Sequence, residues 1–293
     1  MIGPLIRAPR RGPRDTPLVR GAPRLAKNAL ENLLERLTAP FGRWERQRLV
    51  VERVEVGVKD LAPEFVGFRI AFLTDLHYSR IVPRWWLERA VAAANGLAPD
   101  IIALGGDFVD DDESYAPGLA DILRPLAAPD GVVGVLGNHD HYVDAAAVRA
   151  ALGAAGVREL RNQPLVLARG AARLAVSGVG DLERDVVDFA RVLAGVPPDV
   201  PRVVLSHDPD VFAYWPADLR LDLMLAGHTH GGQAYLPFLG PPFVPSQFGF
   251  RYLKGLFRES DRQLYVSRGV GAGGFPIRWG CPPELTLVVL RRS

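Results

Sequence analysis

Six histidines occur among the 293 residues, and each lies in a short polar cluster that ends an apolar run. Ile70-Ala71-Phe72-Leu73 runs into Thr74-Asp75-Leu76-His77, and Ile101-Ile102-Ala103-Leu104 into Gly105-Gly106-Asp107. Val132-Val133-Gly134-Val135-Leu136 precedes Gly137-Asn138-His139-Asp140, with His141 directly after. Val203-Val204-Leu205 leads to Ser206-His207-Asp208, and Leu223-Met224-Leu225-Ala226 to Gly227-His228-Thr229-His230. A lone histidine is more often structural than functional, but this recurrence beside Asp and Asn points to one shared site. Imidazole and carboxylate without sulfur suit Zn, Mn or Fe ions and not a cysteine-based structural zinc. Asp75 and His77 stand two apart, as do His228 and His230, so an extended segment would turn each pair to one side. Gly106, Gly137 and Gly227 are expected to allow sharp turns and close backbone approach just before Asp107, Asn138 and His228.

Such clusters need a scaffold that delivers strand ends to one place. Apolar runs of four or five residues read as buried strands, and α/β sheets build their sites outside the carboxyl ends of such strands. Between them, 85–97, 116–126, 145–155 and 186–193 read as helices. A strand marked by Val50, Val54, Val56 and Val58 opens the compact region. Further strands at 165–168, 174–179, 264–266 and 285–290 have little helix between them. The pattern predicts an α/β fold with two sheets.

Two regions follow from composition. Residues 1–48 carry eleven Lys or Arg against Asp15, Glu31, Glu35 and Glu45, a net charge of +7, while residues 49–293 carry −5. The arm is Arg-, Pro- and Gly-rich to residue 23 and is expected to be disordered there. Over 24–38, Ala26, Leu30, Leu33, Leu34 and Leu37 share one helical face. Two readings of that helix stand: it packs on the body, or it lies on an anionic membrane with Phe41 and Trp44 at the interface. No stretch approaches the roughly 20 apolar residues of a membrane span, and no secretory signal is visible. Cys281 is the single cysteine, so no intramolecular disulfide or thiolate cluster can form, and Cys281 reads as a buried filler. A cytoplasmic location is expected, peripheral at the inner face of the membrane if the arm binds lipid.

The ordered clusters Asp75-x-His77, Gly106-Asp107-x-x-Asp110, Gly137-Asn138-His139-Asp140, His207 and Gly227-His228-Thr229-His230 resemble those of the calcineurin-like metallophosphoesterase family. The resemblance spans 75–230, and the C-terminal strands extend it to about residue 290. It implies two facing mixed β-sheets flanked by helices, a four-layer α/β sandwich, holding two divalent metal ions. Asp75, His77 and His230 would hold one ion, Asn138, His207 and His228 the second, and Asp107 would bridge both. His139 would face the substrate, with Asp110 orienting its ring and Asp140 as a competing orienter or structural turn carboxylate. Two such cations can clamp a phosphoryl group and lower the pKa of a shared water, and a protonated His139 can donate to the leaving oxygen. Gln233 and His141 are candidates for substrate contact, and Arg278, beyond the glycine-rich 269–274, for phosphate contact; for each the alternative is a structural or rim residue.

Asp111 occupies the place where phosphoprotein phosphatases of that family carry Arg, which counts against phosphoproteins as substrates. Nuclease members bring large DNA-binding regions that this sequence does not show, so no nucleic-acid partner is expected. Gly227–Gln233 and Pro282-Pro283-Glu284-Leu285 are similar to the bacterial YkuE/YaeI-like branch, whose members often carry a membrane anchor and are linked to envelope or lipid phosphoesters. That resemblance implies a phosphodiester or diphosphate, lipid-linked or nucleotide-linked, cleaved at a membrane surface. A broad phosphodiesterase or phosphomonoesterase for soluble substrates is the enzymatic alternative. A metal-free protein-binding scaffold on the same fold is the remote one.

Overall fold

A parallel strand covered on both faces must be apolar at every position, and the four-residue runs ahead of the polar clusters meet that demand. In the computed structural model, which describes residues 5, 6, 45 and 47–293 apart from 236–239, 242 and 275, they form the centres of two six-stranded sheets. The first contains β1 (Val50–Val58), β2 (Arg69–Leu73), β3 (Ile101–Leu104), β4 (Val132–Gly134), β5 (Arg158–Glu159) and β12 (Glu284–Arg292), ordered β1-β12-β2-β3-β4-β5. The second contains β6 (Gln163–Arg169), β7 (Ala172–Gly178), β8 (Arg202–Leu205), β9 (Leu223–Ala226), β10 (Gly255–Glu259) and β11 (Arg262–Val266), ordered β10-β11-β9-β8-β7-β6. β2 through β5 are parallel, as are β7, β8, β9 and β11, while β12–β2, β6–β7 and β10–β11 are antiparallel. Both sheets are therefore mixed, as expected.

Alternation along each strand sorts side chains into layers. Ile70, Phe72, Ile101 and Ala103 share the inter-sheet core with Val203, Leu205, Leu223 and Leu225. Ala71, Leu73, Ile102 and Leu104 face outward beneath α1 (Arg84–Gly96), α2 (Ala116–Leu123) and α4 (Ala145–Ala154). On the opposite side, Val204, Met224 and Ala226 pack with Phe189, Phe212 and Trp215. The result is helix, sheet, sheet, helix.

Several elements depart from the sequence reading. The helix expected to residue 126 stops at Leu123, since Pro125 has no N–H with which to continue the ladder. The helix expected over 186–193 shrinks to α5 (Phe189–Val192), where the Asp188 side chain caps Arg191 N. The Gly137-Asn138-His139-Asp140 cluster opens a short helix, α3 (Asn138–Val143), which has no apolar periodicity to announce it. A second short helix, α6 (Val211–Tyr214), follows β8. The helix predicted over 24–38, with Phe41 and Trp44, lies outside the described residues. Elsewhere in the arm, Ile6 exchanges backbone hydrogen bonds with Val187, and Glu45 Oε2 accepts from Gly280 N at 2.9 Å.

Candidate metal centre

The loops leaving β2, β3, β4, β8 and β9 meet at one place, and Asp107 stands at its middle. Asp107 Oδ2 is 3.1 Å from His207 Nε2 and 3.5 Å from His77 Nε2. On one side, His77 Nε2 lies 3.0 Å from His230 Nε2, which is 3.4 Å from Asp75 Oδ1. On the other, His207 Nε2 lies 3.1 Å from Asn138 Oδ1 and 3.1 Å from His228 Nδ1. All seven of these residues are buried.

The donor chemistry fits cations. His77 Nδ1 is 3.0 Å from Asp110 Oδ1, and His207 Nδ1 is 2.9 Å from the Gly105 carbonyl. Each acceptor obliges a proton at Nδ1 and leaves Nε2 as a bare lone pair. Those lone pairs aim at a carboxylate, an amide oxygen and other ring nitrogens. In a dry interior such an arrangement repels unless a cation or a proton lies between the atoms. Nitrogen and oxygen donors without sulfur suit Zn, Mn or Fe. Asp75, His77 and His230 can hold one ion, and Asp107, His207 and His228 another.

Without a cation, protons take that role. Burial works to lower the pKa of His77, but the carboxylates of Asp110, Asp107 and Asp75 outweigh it and raise it. Burial likewise opposes the charge of His207, yet Asp107, Asp75 and Asp181 hold it well above the usual histidine range. For Asp107 burial pushes upward, but His207, His139 and His77 keep its carboxyl well below the usual value. His230 goes the other way: burial, then the charges of His77 and Arg278, hold it well below, so its ring stays neutral.

The two-residue spacing converges by a route different from the one it suggested. Asp75, His77, Asp107, His228 and His230 have φ of 54°, 47°, 52°, 69° and 52°. This is the left-handed region, costing a non-glycine residue roughly 1–2 kcal/mol. Kinked turns, with Leu76 buried between Asp75 and His77, therefore replace the expected extended segments. Loop-to-loop hydrogen bonds hold the strain in place. Asp75 N donates to Gly106 O at 2.9 Å, His77 N to Asp107 O at 2.9 Å and His228 N to Asp75 Oδ1 at 3.0 Å.

Close approach requires glycine at two points. Gly106 has φ +93°, and a Cβ there would lie 2.6 Å from Gly137 N. A Cβ on Gly137 would collide with Asp107 Oδ1 and sit 2.8 Å from His207 Cγ. Gly137→Ala is expected to lower stability by about 1–3 kcal/mol and to deplete bound metal, since Asp107 and His207 must move. Thermal denaturation and metal analysis check this, and a variant with full metal content would contradict it.

The structure brings His139 to the rim of this group. Its amide donates to Asp107 Oδ1 at 2.9 Å, and its side chain is 28% exposed where that of His77 is 0%. His139 Nδ1 lies 2.6 Å from the Asp110 backbone carbonyl. That refines the part expected of Asp110, whose carboxylate sits 3.0 Å from His77 Nδ1 but 3.4 Å from His139 Nδ1. Asp140 takes the structural alternative: it is buried and accepts from Gly137 N, Phe108 N and Val109 N, stitching the Asp107 loop to α3.

The three candidate substrate contacts have the following partners within the chain. Arg278 is 0% exposed, and its guanidinium donates to the carbonyls of Gly271, Cys281, Arg268 and Gly269, with Nη2 3.3 Å from His230 Nδ1. It braces the back of His230. Gln233 exchanges two hydrogen bonds with Gly273, clamping the glycine-rich loop over His77 and His230. His141 is half-buried, among the charges of Asp185, Arg149 and Arg161. Cys281 is buried as expected, with its thiol directed at the His230 carbonyl at 3.1 Å.

Sequence reasoning passed over Thr74, whose hydroxyl donates to Asp75 Oδ2 at 2.8 Å. It passed over Asp181, a buried carboxylate pushed up to about 6 by burial, partly offset by His207 and His228. It also passed over Tyr142, whose ring centroid is 5.4 Å from that of His139. Recognising α3 would have exposed Tyr142 as the residue three beyond His139 on one helical face.

A model of the calcineurin-like phosphoesterase family matches residues 68–232. Phosphodiesterase YaeI of Escherichia coli (strain K12) is 38% identical over 227 residues, 76% of this chain and 82% of that protein. The uncharacterized metallophosphoesterase YkuE of Bacillus subtilis (strain 168) is 33% identical over 251 residues, 83% of this chain and 87% of its own length. The solved structure of TT1561 of Thermus thermophilus aligns with a TM-score of 0.45 at 15% identity, covering 70% of this chain and 90% of that one.

Proposed function

The chain belongs to the calcineurin-like phosphoesterase family of metal-dependent hydrolases, and from that premise we propose a phosphodiesterase with two divalent metal ions. Asp75, His77 and His230 would hold one ion, Asn138, His207 and His228 the other, and Asp107 would serve both. The observation that carries this reading is the position of Asp107 Oδ2, within 3.1 Å of His207 Nε2 and 3.5 Å of His77 Nε2, between two converging donor sets. When bound, the ions supply charge that neutralises a phosphoryl group and lowers the pKa of a water.

The chain's own residues do the rest. Hydrolysis forms a P–O bond from water and breaks one to the leaving group, whose oxygen takes up a proton. His139 carries a proton on Nδ1, facing the Asp110 carbonyl at 2.6 Å, so Nε2 is the ring atom that can hold and deliver another. Asp110 fixes both His77 and His139 from one turn. Burial of the ligands keeps bulk water from screening these charges.

For the substrate we favour a phosphodiester or diphosphate, lipid-linked or nucleotide-linked and met at an anionic membrane surface. The phosphodiesterase name of the YaeI relative and the +7 charge of residues 1–48 support that choice. Among the described residues no helix is long and apolar enough to cross a membrane. Removing residues 1–48 is expected to lower turnover of a diester carried in anionic liposomes while sparing a soluble diester; equal effects on both discard the membrane element.

The central test strips the protein with chelator and adds back Mn, Zn or Mg, assaying phosphomonoesters, diesters and diphosphates. Activity is expected to return with Mn or Zn and to favour diesters or diphosphates. At a metal concentration of about 100 Kd, folding stability should rise by about 2.7 kcal/mol. Binding should also release protons. The folded pKa of His207 is raised, so the charged ring stabilises the metal-free fold at low pH and that contribution is lost as pH rises through the folded value. Metal must displace this proton, so affinity is expected to fall as pH falls. A stripped protein that gains neither stability nor activity with any metal would overturn the reading.

A further inference from the structure

His139 is not alone at the rim. Tyr142 lies one turn further along α3, its ring T-shaped against that of His139 with centroids 5.4 Å apart. Its hydroxyl donates to Glu183 Oε2 at 2.9 Å, and the Arg184 guanidinium lies over its ring, with Cζ 4.2 Å from the centroid. Arg184 is exposed and Tyr142 half-buried.

The loop carrying Arg184 is anchored at several points. Buried Asp181 Oδ1 accepts from Glu183 N at 3.1 Å and Arg184 N at 2.7 Å. Asp185 is gripped by Arg161 through two 2.6 Å hydrogen bonds, and Asn162 bonds Gly180 N and Val186 O. Arg149, Arg161 and Arg268 each pair with a carboxylate. Among the described residues Arg184 has no such ion pair; it lies over the Tyr142 ring and is hydrogen-bonded to the Tyr142 side chain. One hydrogen bond to Tyr142 leaves the other donors of the planar guanidinium fork for an incoming group, the geometry that recognises phosphate oxygens in pairs.

We infer that Tyr142 and Arg184 form a subsite for a second phosphoryl group, next to the one being hydrolysed, so that the site selects diphosphate-type substrates over simple diesters. The inference rests on the phosphoesterase reading. Tyr142 acts as the platform that fixes the guanidinium, and Arg184 is the specificity-determining contact. Holding the neighbouring phosphoryl there would set the scissile one beside His139.

The test compares two substrates that differ only in the second phosphoryl group, diphenyl phosphate and P1,P2-diphenyl diphosphate, in the metal-loaded full-length protein and its Arg184→Ala variant. The variant is expected to lower the diphosphate-to-monophosphate ratio of kcat/KM by about 10–100-fold, with the loss in KM for the diphosphate, as suits a charge-assisted bidentate contact. A ratio equal to that of the parent protein would overturn the inference. Titration with methylenediphosphonate, a non-hydrolysable probe, separates this failure from that of the hydrolase reading. If the parent protein turns over neither substrate, phosphoesterase function fails, while weaker probe binding in Arg184→Ala still upholds the subsite and equal binding rejects it.

Discussion

Asp107→Asn is expected to lower kcat/KM for a phosphodiester by roughly 10³–10⁴-fold, about 4–6 kcal/mol of lost transition-state stabilisation. Asparagine keeps the volume of the side chain, and its amide oxygen can still accept from His139 N in the place of Asp107 Oδ1. The other position then carries NH2, which points donors at His77 Nε2 and His207 Nε2, where the carboxylate had faced them at 3.5 and 3.1 Å. Two ring nitrogens that face the carboxylate are met by hydrogens, and one negative charge is gone. The fold should survive, because the new amide satisfies at least one ring nitrogen and creates no cavity. The expected signature is therefore a folded protein by circular dichroism with depleted metal by elemental analysis and almost no turnover. Full metal content with near-normal kcat/KM would show that Asp107 does not join the two halves.

His139→Ala should act on a different step. The proton-transfer role predicts a fall in kcat of about 10²–10⁴-fold with metal content retained. The loss should depend on the leaving group. A p-nitrophenolate leaves without help, whereas an alkoxide needs a proton, so the variant should be much more damaged on alkyl than on nitrophenyl esters. The same measurement separates a competing role, because His77, Asp107 and His139 also present ligand atoms within 4.8 Å of one another. If His139→Ala strips metal and damages both ester classes alike, the ring is a ligand and not a proton donor. Its 28% exposure and the 2.6 Å contact of Nδ1 with the Asp110 carbonyl favour the donor.

Much of the site was legible because its residue types are rare and its apolar runs unambiguous. His77, His207, His228 and Asp107 stand two to four residues after strands whose both-sided burial demands continuous apolar sequence. Their positions at strand ends therefore follow from composition and order. Arg278 shows the opposite case. An arginine beside a glycine-rich stretch suggests phosphate, but nothing local reveals that four backbone carbonyls wait for its guanidinium in the interior. Gln233 is similar, since the Gly273 backbone that takes its amide lies forty residues away. Tyr142 was hidden for a local reason, because Asn138–Val143 forms a helix without an apolar stripe.

What the sequence alone determined is which side chains can reach a common edge. Five strand ends in two sheets bring imidazoles, carboxylates and an amide to one end of the sandwich, and no sulfur among them. What only tertiary structure decided is how those side chains are aimed. Asp75, His77, Asp107, His228 and His230 adopt left-handed backbone that their own residue types disfavour. That conformation is tolerated only because amides of one loop bond carbonyls and carboxylates of another. Which nitrogen of each ring faces inward was likewise settled from outside, by Asp110 behind His77 and the Gly105 carbonyl behind His207. Local preference ranks conformations within a segment, but contacts between segments far apart in the chain supply the larger energies, and at this site they prevail.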